Sequence, residues 1–129
     1  MSNYRTPLRE VRGYGAAHHG TGHWIAQRFT AIALVPLLLW FCFSLLYTVF
    51  TADYAGAIAW IHQPWIMLAL ILLVTAIFYH SALGLQVIVE DYVHTKWLKT
   101  ATLIVLRLFN FLLAIAGILA VLRIAFVGV

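Results

Sequence analysis

Three long stretches almost free of charge constrain this chain more than anything else in it. Phe29 to Phe50 carries no charged residue, Pro64 to Val89 carries none and one histidine, and Thr100 to Leu122 is apolar apart from Arg107 and Asn110. Each exceeds the roughly 20 residues that a helix needs to cross about 30 Å of hydrocarbon. Inside a bilayer the backbone must satisfy its own hydrogen bonds, so each run is predicted to be a helix. Barrel strands would alternate apolar and polar residues over about 10 positions, and these runs do not. Charged residues make up 9% of the 129 residues and hydrophobic ones 64%. A soluble domain carries about 25% charged residues, so this chain has too little polar surface to cover itself in water.

The expected architecture is all-α: an integral membrane bundle of three transmembrane helices in a single domain, 1–129. A polar leader covers 1–23, and the helices cover about 24–50, 64–92 and 98–125. The glycines at 13, 15, 20 and 22 argue against a stable helix in the leader. Pro36 lies inside the first helix as a potential kink, and Pro64 suits the first turn of the second. A loop of about 13 residues holding Asp53, Tyr54 and Gly56 is expected between them. The first run is too long for a signal-peptide core, despite the cleavage-like Ala55-Gly56-Ala57 after it, and is read as retained.

Lysine and arginine set the expected orientation. Arg5, Arg9 and Arg12 lie in the leader and Lys96 and Lys99 in the second loop, whereas the first loop has neither residue type and holds Asp53. The positive-inside rule then puts the N-terminus in the cytoplasm and the C-terminus outside. Trp24 and Trp97 mark the inner interface, and Tyr54, Trp60 and Trp65 the outer one. The net charge of +4 follows from this topology and calls for no nucleic-acid partner. Cys42 is the single cysteine; it forms no internal disulfide and reads as a small apolar side chain.

The chemistry concentrates in His80-Ser-Ala-Leu-Gly84-Leu-Gln-Val-Ile-Val-Glu90-Asp91-Tyr92. An ionisable side chain in mid-membrane is expensive and needs a reason. A neutral imidazole there suits axial ligation of haem iron; a histidine hydrogen-bonded inside a helix bundle accounts for it equally well on spacing alone. At about 100° per residue, His80, Gly84, Val87 and Asp91 share one helix face. Gly84 removes bulk one turn from His80, where a flat macrocycle or another helix can approach. Asp91 lies about 16 Å further along the axis, at the cytoplasmic interface.

Tyr92 can donate to a quinone carbonyl, with Asp91 tuning or relaying protons. An interfacial tyrosine beside a solvated acid is the plainer reading of that pair. Arg28, just inside the first helix, suits an anionic group such as a haem propionate, or lipid phosphate. Arg107 and Asn110 read as structural, within reach of Asp91 or headgroups. His18, His19 and His23 include an i, i+4 spacing, but their glycine-rich setting gives no rigid metal site. Ala114, Gly117 and Ala120 form a small-residue face for close helix packing. No second histidine lies at the depth of His80, so a bis-histidine haem would take its other ligand from another chain.

These residues resemble the small hydrophobic (D-type) membrane-anchor subunit of succinate dehydrogenase, respiratory complex II. The resemblance rests on His80 followed eleven residues later by Asp91-Tyr92 with Gly84 between. It also rests on Gln27-Arg28-Phe29-Thr30-Ala31 opening the first helix, like the family's Arg-x-Thr-Ala, and on length and topology across nearly the whole chain. It implies that His80 is one axial ligand of haem b, shared with a C-type cytochrome b anchor subunit. It implies too that Tyr92 and Asp91 form part of a ubiquinone site and that Arg28 lies near the haem propionates. The implied partners are the C-type anchor, an iron–sulfur subunit, a flavoprotein subunit and lipid, in a bacterial inner membrane. Some relatives have a histidine at the position of Gly22, so no such role is carried over to the neighbouring His23. The chain has no flavin or dinucleotide motif and no cysteine cluster, so it is non-catalytic alone. A structural anchor or assembly protein without a redox site is the alternative; a transporter would need more than one ionisable group in mid-membrane.

Overall fold

The computed structural model describes Leu8 and residues 20–127. The leader arginines Arg5, Arg9 and Arg12, together with His18 and His19, lie outside these described residues. Four helices follow in order: α1 (Gly20–Thr51), α2 (Tyr54–Ile61), α3 (Pro64–Tyr92) and α4 (Lys96–Val127). No strand occurs among the described residues. The helices α1, α3 and α4 are long and apolar enough to cross a membrane, so the chain is an all-α, three-span membrane fold.

Local chemistry explains several of the helix ends. Gln63 is extended and Pro64 takes the first position of α3, where its missing N–H costs nothing. The chain turns extended again at Val93, whose N–H still bonds the Val89 carbonyl at 3.0 Å. Helix α1 starts at Gly20, so it takes in Gly20 and Gly22, two of the four glycines read as leader, and it runs on through Pro36. Helix α2 corrects the expected loop. Asp53 is extended at its N-cap, and its carboxylate accepts the Gly56 N–H at 2.8 Å. One of the helix's orphan donors is thereby satisfied. The side of Trp60 stacks on Trp40, with ring centroids 6.2 Å apart and planes 26° apart, which fastens α2 to α1.

Helix α3 is the centre of the fold. It packs against α4 on one side and α1 on the other, while α1 and α4 share no contact seam. Most buried apolar residues belong to it: Leu70, Leu73, Leu83 and Val89. On α4, Gly117 faces Val74 so closely that a Cβ there would stand 2.9 Å from the valine Cγ1. The small-residue face of α4 therefore meets α3 at Gly117, the close approach that small residues permit in membranes.

Little else is covered. Phe29, Phe43, Phe50, Phe111 and Phe126 are all exposed. An apolar surface this extensive is not compatible with water, and lipid or other subunits must cover it.

Candidate functional site

Helix α3 presents two different faces. The first carries His80. Its Nδ1 lies 2.8 Å from the hydroxyl of Thr30 on α1, the only hydrogen bond that joins α1 to α3 through side chains among the described residues. The Thr30 hydroxyl also lies 2.9 Å from the Ala26 carbonyl and 3.0 Å from that of Gln27. His80 is half-buried, and Thr30 is its one hydrogen-bonding partner among the described residues. One turn on, a Cβ added to Gly84 would meet nothing within 4 Å. The glycine thus leaves open space beside the imidazole rather than a seam within the chain.

Toward the end of α3, Asp91 and Tyr92 are exposed, Tyr92 by 79%. Twelve residues at 1.5 Å each separate Tyr92 from His80 by about 18 Å along the axis, so the structure places these two groups at different depths. Arg28 is exposed too; its guanidinium lies over the Trp24 ring, 4.4 Å from the centroid. That cation–π contact holds the charge at the N-terminal end of α1 without consuming its hydrogen-bond donors.

The second face of α3 looks toward α4. Because α1 and α4 do not meet, a cavity of about 710 Å³ opens between the start of α1, α3 and α4. Its polar lining includes His23, Thr75, Tyr79, Gln86, Arg107 and Asn110, and residues such as Phe78 and Ile115 line the rest. Arg107 donates to Gln86 Oε1 at 2.8 Å, and Gln86 Nε2 donates to Glu90 Oε1 at 2.7 Å. Lys99 closes the same end by donating to the Glu90 carbonyl at 2.8 Å. Arg107 therefore reaches Glu90 through Gln86, where Asp91 or headgroups were expected. Asn110 is buried and returns its amide to the Leu106 carbonyl at 2.9 Å. The Nε2 of His23 is buried without a partner among the described residues.

Sequence reasoning singled out His80, Gly84, Asp91, Tyr92 and Arg28, but missed Thr30 and Gln86 as partners. Thr30 stood inside the quoted Arg-x-Thr-Ala segment, and a hydroxyl one face away from an intramembrane histidine was the available signal. No group of three or more metal-ligating side chains forms among the described residues; His80 offers a single ligand.

Comparison with known proteins gives a consistent answer. The family described as succinate dehydrogenase/fumarate reductase transmembrane subunit matches residues 2–123. The succinate dehydrogenase hydrophobic membrane anchor subunit of Rickettsia bellii is 33% identical over 120 residues, covering 92% of this chain and 94% of the relative. The protein of the same description from Rickettsia typhi is 29% identical with the same coverage. The succinate dehydrogenase membrane anchor subunit of Reclinomonas americana is 26% identical, covering 68% of this chain and 75% of its own length. No solved structure matches the chain significantly.

Proposed function

The chain belongs to the family of succinate dehydrogenase/fumarate reductase transmembrane subunits, and on that premise we propose that it supplies half of a haem b site and part of a ubiquinone site to the enzyme it anchors. Family membership makes it a multi-pass membrane subunit that works with partner subunits. The finer reading adds those partners: a C-type cytochrome b anchor, an iron–sulfur subunit and a flavoprotein, in a bacterial inner membrane with the leader in the cytoplasm.

The single observation that carries the haem reading is the state of His80. One ring nitrogen is engaged by Thr30, the other is left without a partner among the described residues, and the Gly84 position beside it is open. A haem ligand needs one nitrogen held and one free. When bound, a bis-histidine haem supplies a one-electron site in the membrane. This chain's own part is to hold the imidazole at a fixed depth and to leave its open face to another helix. Bis-histidine ligation takes its second histidine from the C-type anchor; among the described residues His23, His62 and His94 lie near the helix ends. Arg28 would neutralise an anionic propionate; among the described residues its guanidinium rests on Trp24 and leaves its donors free for that role.

The exposed Tyr92 and Asp91 fit a site completed by a neighbouring subunit. A phenol there donates to a quinone carbonyl, and the adjacent carboxylate orders or relays protons at the interface. Their position at the end of α3 would put that proton exchange at the membrane surface.

The test uses the assembled complex. His80→Ala should abolish or alter the low-spin haem spectrum; an unchanged spectrum would remove His80 from the ligand set. Tyr92→Phe should lose about 100-fold in succinate:quinone activity, the lower end for a lost general acid, while dye-coupled succinate oxidation persists. Equal loss of both activities would mean an assembly defect instead. A purely structural anchor is the second reading, and the Thr30–His80 bond favours it, because that bond alone would justify a histidine between α1 and α3.

A further inference from the structure

We propose that Thr30 is the positioning residue for His80: its hydroxyl oxygen accepts the Nδ1–H of the imidazole, which selects the tautomer whose Nε2 is free for iron. The inference rests on the haem reading above and deepens it, giving the Thr30–His80 contact a donor, an acceptor and a tautomer.

A threonine hydroxyl has one proton to give and two lone pairs with which to accept. The proton's destination is settled by the pattern along these helices. Thr48 donates to the Ser44 carbonyl at 2.8 Å, Thr51 to that of Tyr47 at 2.7 Å, Thr75 to that of Ile71 at 2.8 Å and Thr100 to that of Lys96 at 3.1 Å. Each bonds the carbonyl four residues back. Thr30 does the same, with the Ala26 carbonyl 2.9 Å away and the Gln27 carbonyl 3.0 Å away. Carbonyl oxygens only accept, so both compete for the one hydroxyl proton. Once it is given to the backbone, the contact with His80 at 2.8 Å can be a hydrogen bond only if Nδ1 carries the proton.

The consequence follows from imidazole chemistry. In the neutral ring one nitrogen is protonated and the other holds the lone pair. With the proton on Nδ1, the lone pair is on Nε2. A hydrogen bond accepted from the non-ligating N–H fixes the ring plane and raises the basicity of the ligating nitrogen, and loss of such a partner costs about 10- to 100-fold in metal affinity. Thr30 performs this service from α1, fifty residues away in sequence, and so makes ring orientation depend on the α1–α3 seam. Helix α1 then does more than anchor: it sets how firmly α3 presents its histidine.

The experiment is carried out on the purified complex with Thr30→Val, Thr30→Ala and Thr30→Ser. Valine keeps the shape and removes the acceptor; serine restores it. The expected result is haem bound about 10- to 100-fold more weakly in the valine and alanine variants, measured as haem per flavin during dilution. A raised haem midpoint potential and a changed low-spin spectrum should accompany it, and serine should return all three toward the native values. Haem retention, potential and spectrum unchanged in the valine variant would overturn the proposal. So would failure of both valine and alanine variants to assemble when native Thr30 complex grown without haem assembles, because Thr30 would then act in packing alone. His80→Ala separates the two readings. If it leaves the spectrum intact, the haem reading fails; if it removes the haem while Thr30→Val changes nothing, only the role of Thr30 fails.

Discussion

The two seams of α3 are built on opposite principles. Against α4, the chain packs closely and satisfies itself: Gly117 admits Val74, and Arg107, Gln86, Glu90 and Lys99 form one polar ladder. Against α1, a single side-chain hydrogen bond spans the helices, and it falls on the one intramembrane histidine. The α3–α4 seam pairs its polar side chains within the chain, beside the cavity that opens toward the start of α1. The α1–α3 seam ends in groups with unused valence: a half-engaged imidazole, an open glycine, and an exposed Asp91 and Tyr92 further along. A subunit that must join others in lipid gains from this division, because one seam holds it together and the other stays available for partners.

The difference can be broken from either side. The largest effect is expected from Gly117→Leu. It forces a branched side chain into a place where even a Cβ would stand 2.9 Å from Val74, and valine is stiff at χ1. Overpacking of this kind costs about 1–3 kcal/mol; the detergent-solubilised complex should melt earlier and yield less anchor subunit, while the optical spectrum of what assembles matches that of the native complex. Next comes Gln86→Leu, which removes the link between Arg107 and Glu90 at one stroke. Polar pairs between membrane helices are worth about 0.6 kcal/mol on average and about 1.7 at most, so a loss of about 1 kcal/mol is expected. A double-mutant cycle with Arg107→Leu should show coupling of the same size; additive losses would mean that the ladder contributes nothing as a unit. Smallest in its bearing on the two seams is Asp53→Ala. It removes the α2 cap at a cost of about 1 kcal/mol confined to that helix. Faster amide exchange over residues 54–61, with both α3 seams unchanged, is the expected outcome.

Much of the fold was legible because it is local. Length and hydropathy of a run depend only on neighbours in sequence, and so did Pro64 at the start of α3. Helix α2 was missed because it is only eight residues long and opens on Tyr54 and Gly56, which read as loop chemistry. Asp53 three residues before Gly56 was the signal that a cap was present. Arg107 was given the wrong partner for a different reason. Asp91 carries the nearer formal charge in expectation, but the rotation of α4 on α3 brings Gln86 and Glu90 to that side.

By itself, then, the sequence determined that this chain lies in a membrane, that three helices cross it, and that His80, Asp91 and Tyr92 are the residues whose presence needs explaining. Hydrocarbon thickness and the cost of polar groups in lipid decide those matters without any fold. Only the tertiary structure decided that α3 is central, that α1 and α4 stay apart around a cavity, and that Thr30 meets His80. Those depend on the rotation of each helix about its own axis, which close approach at residues such as Gly117 selects and which no periodicity along a uniformly apolar run reveals.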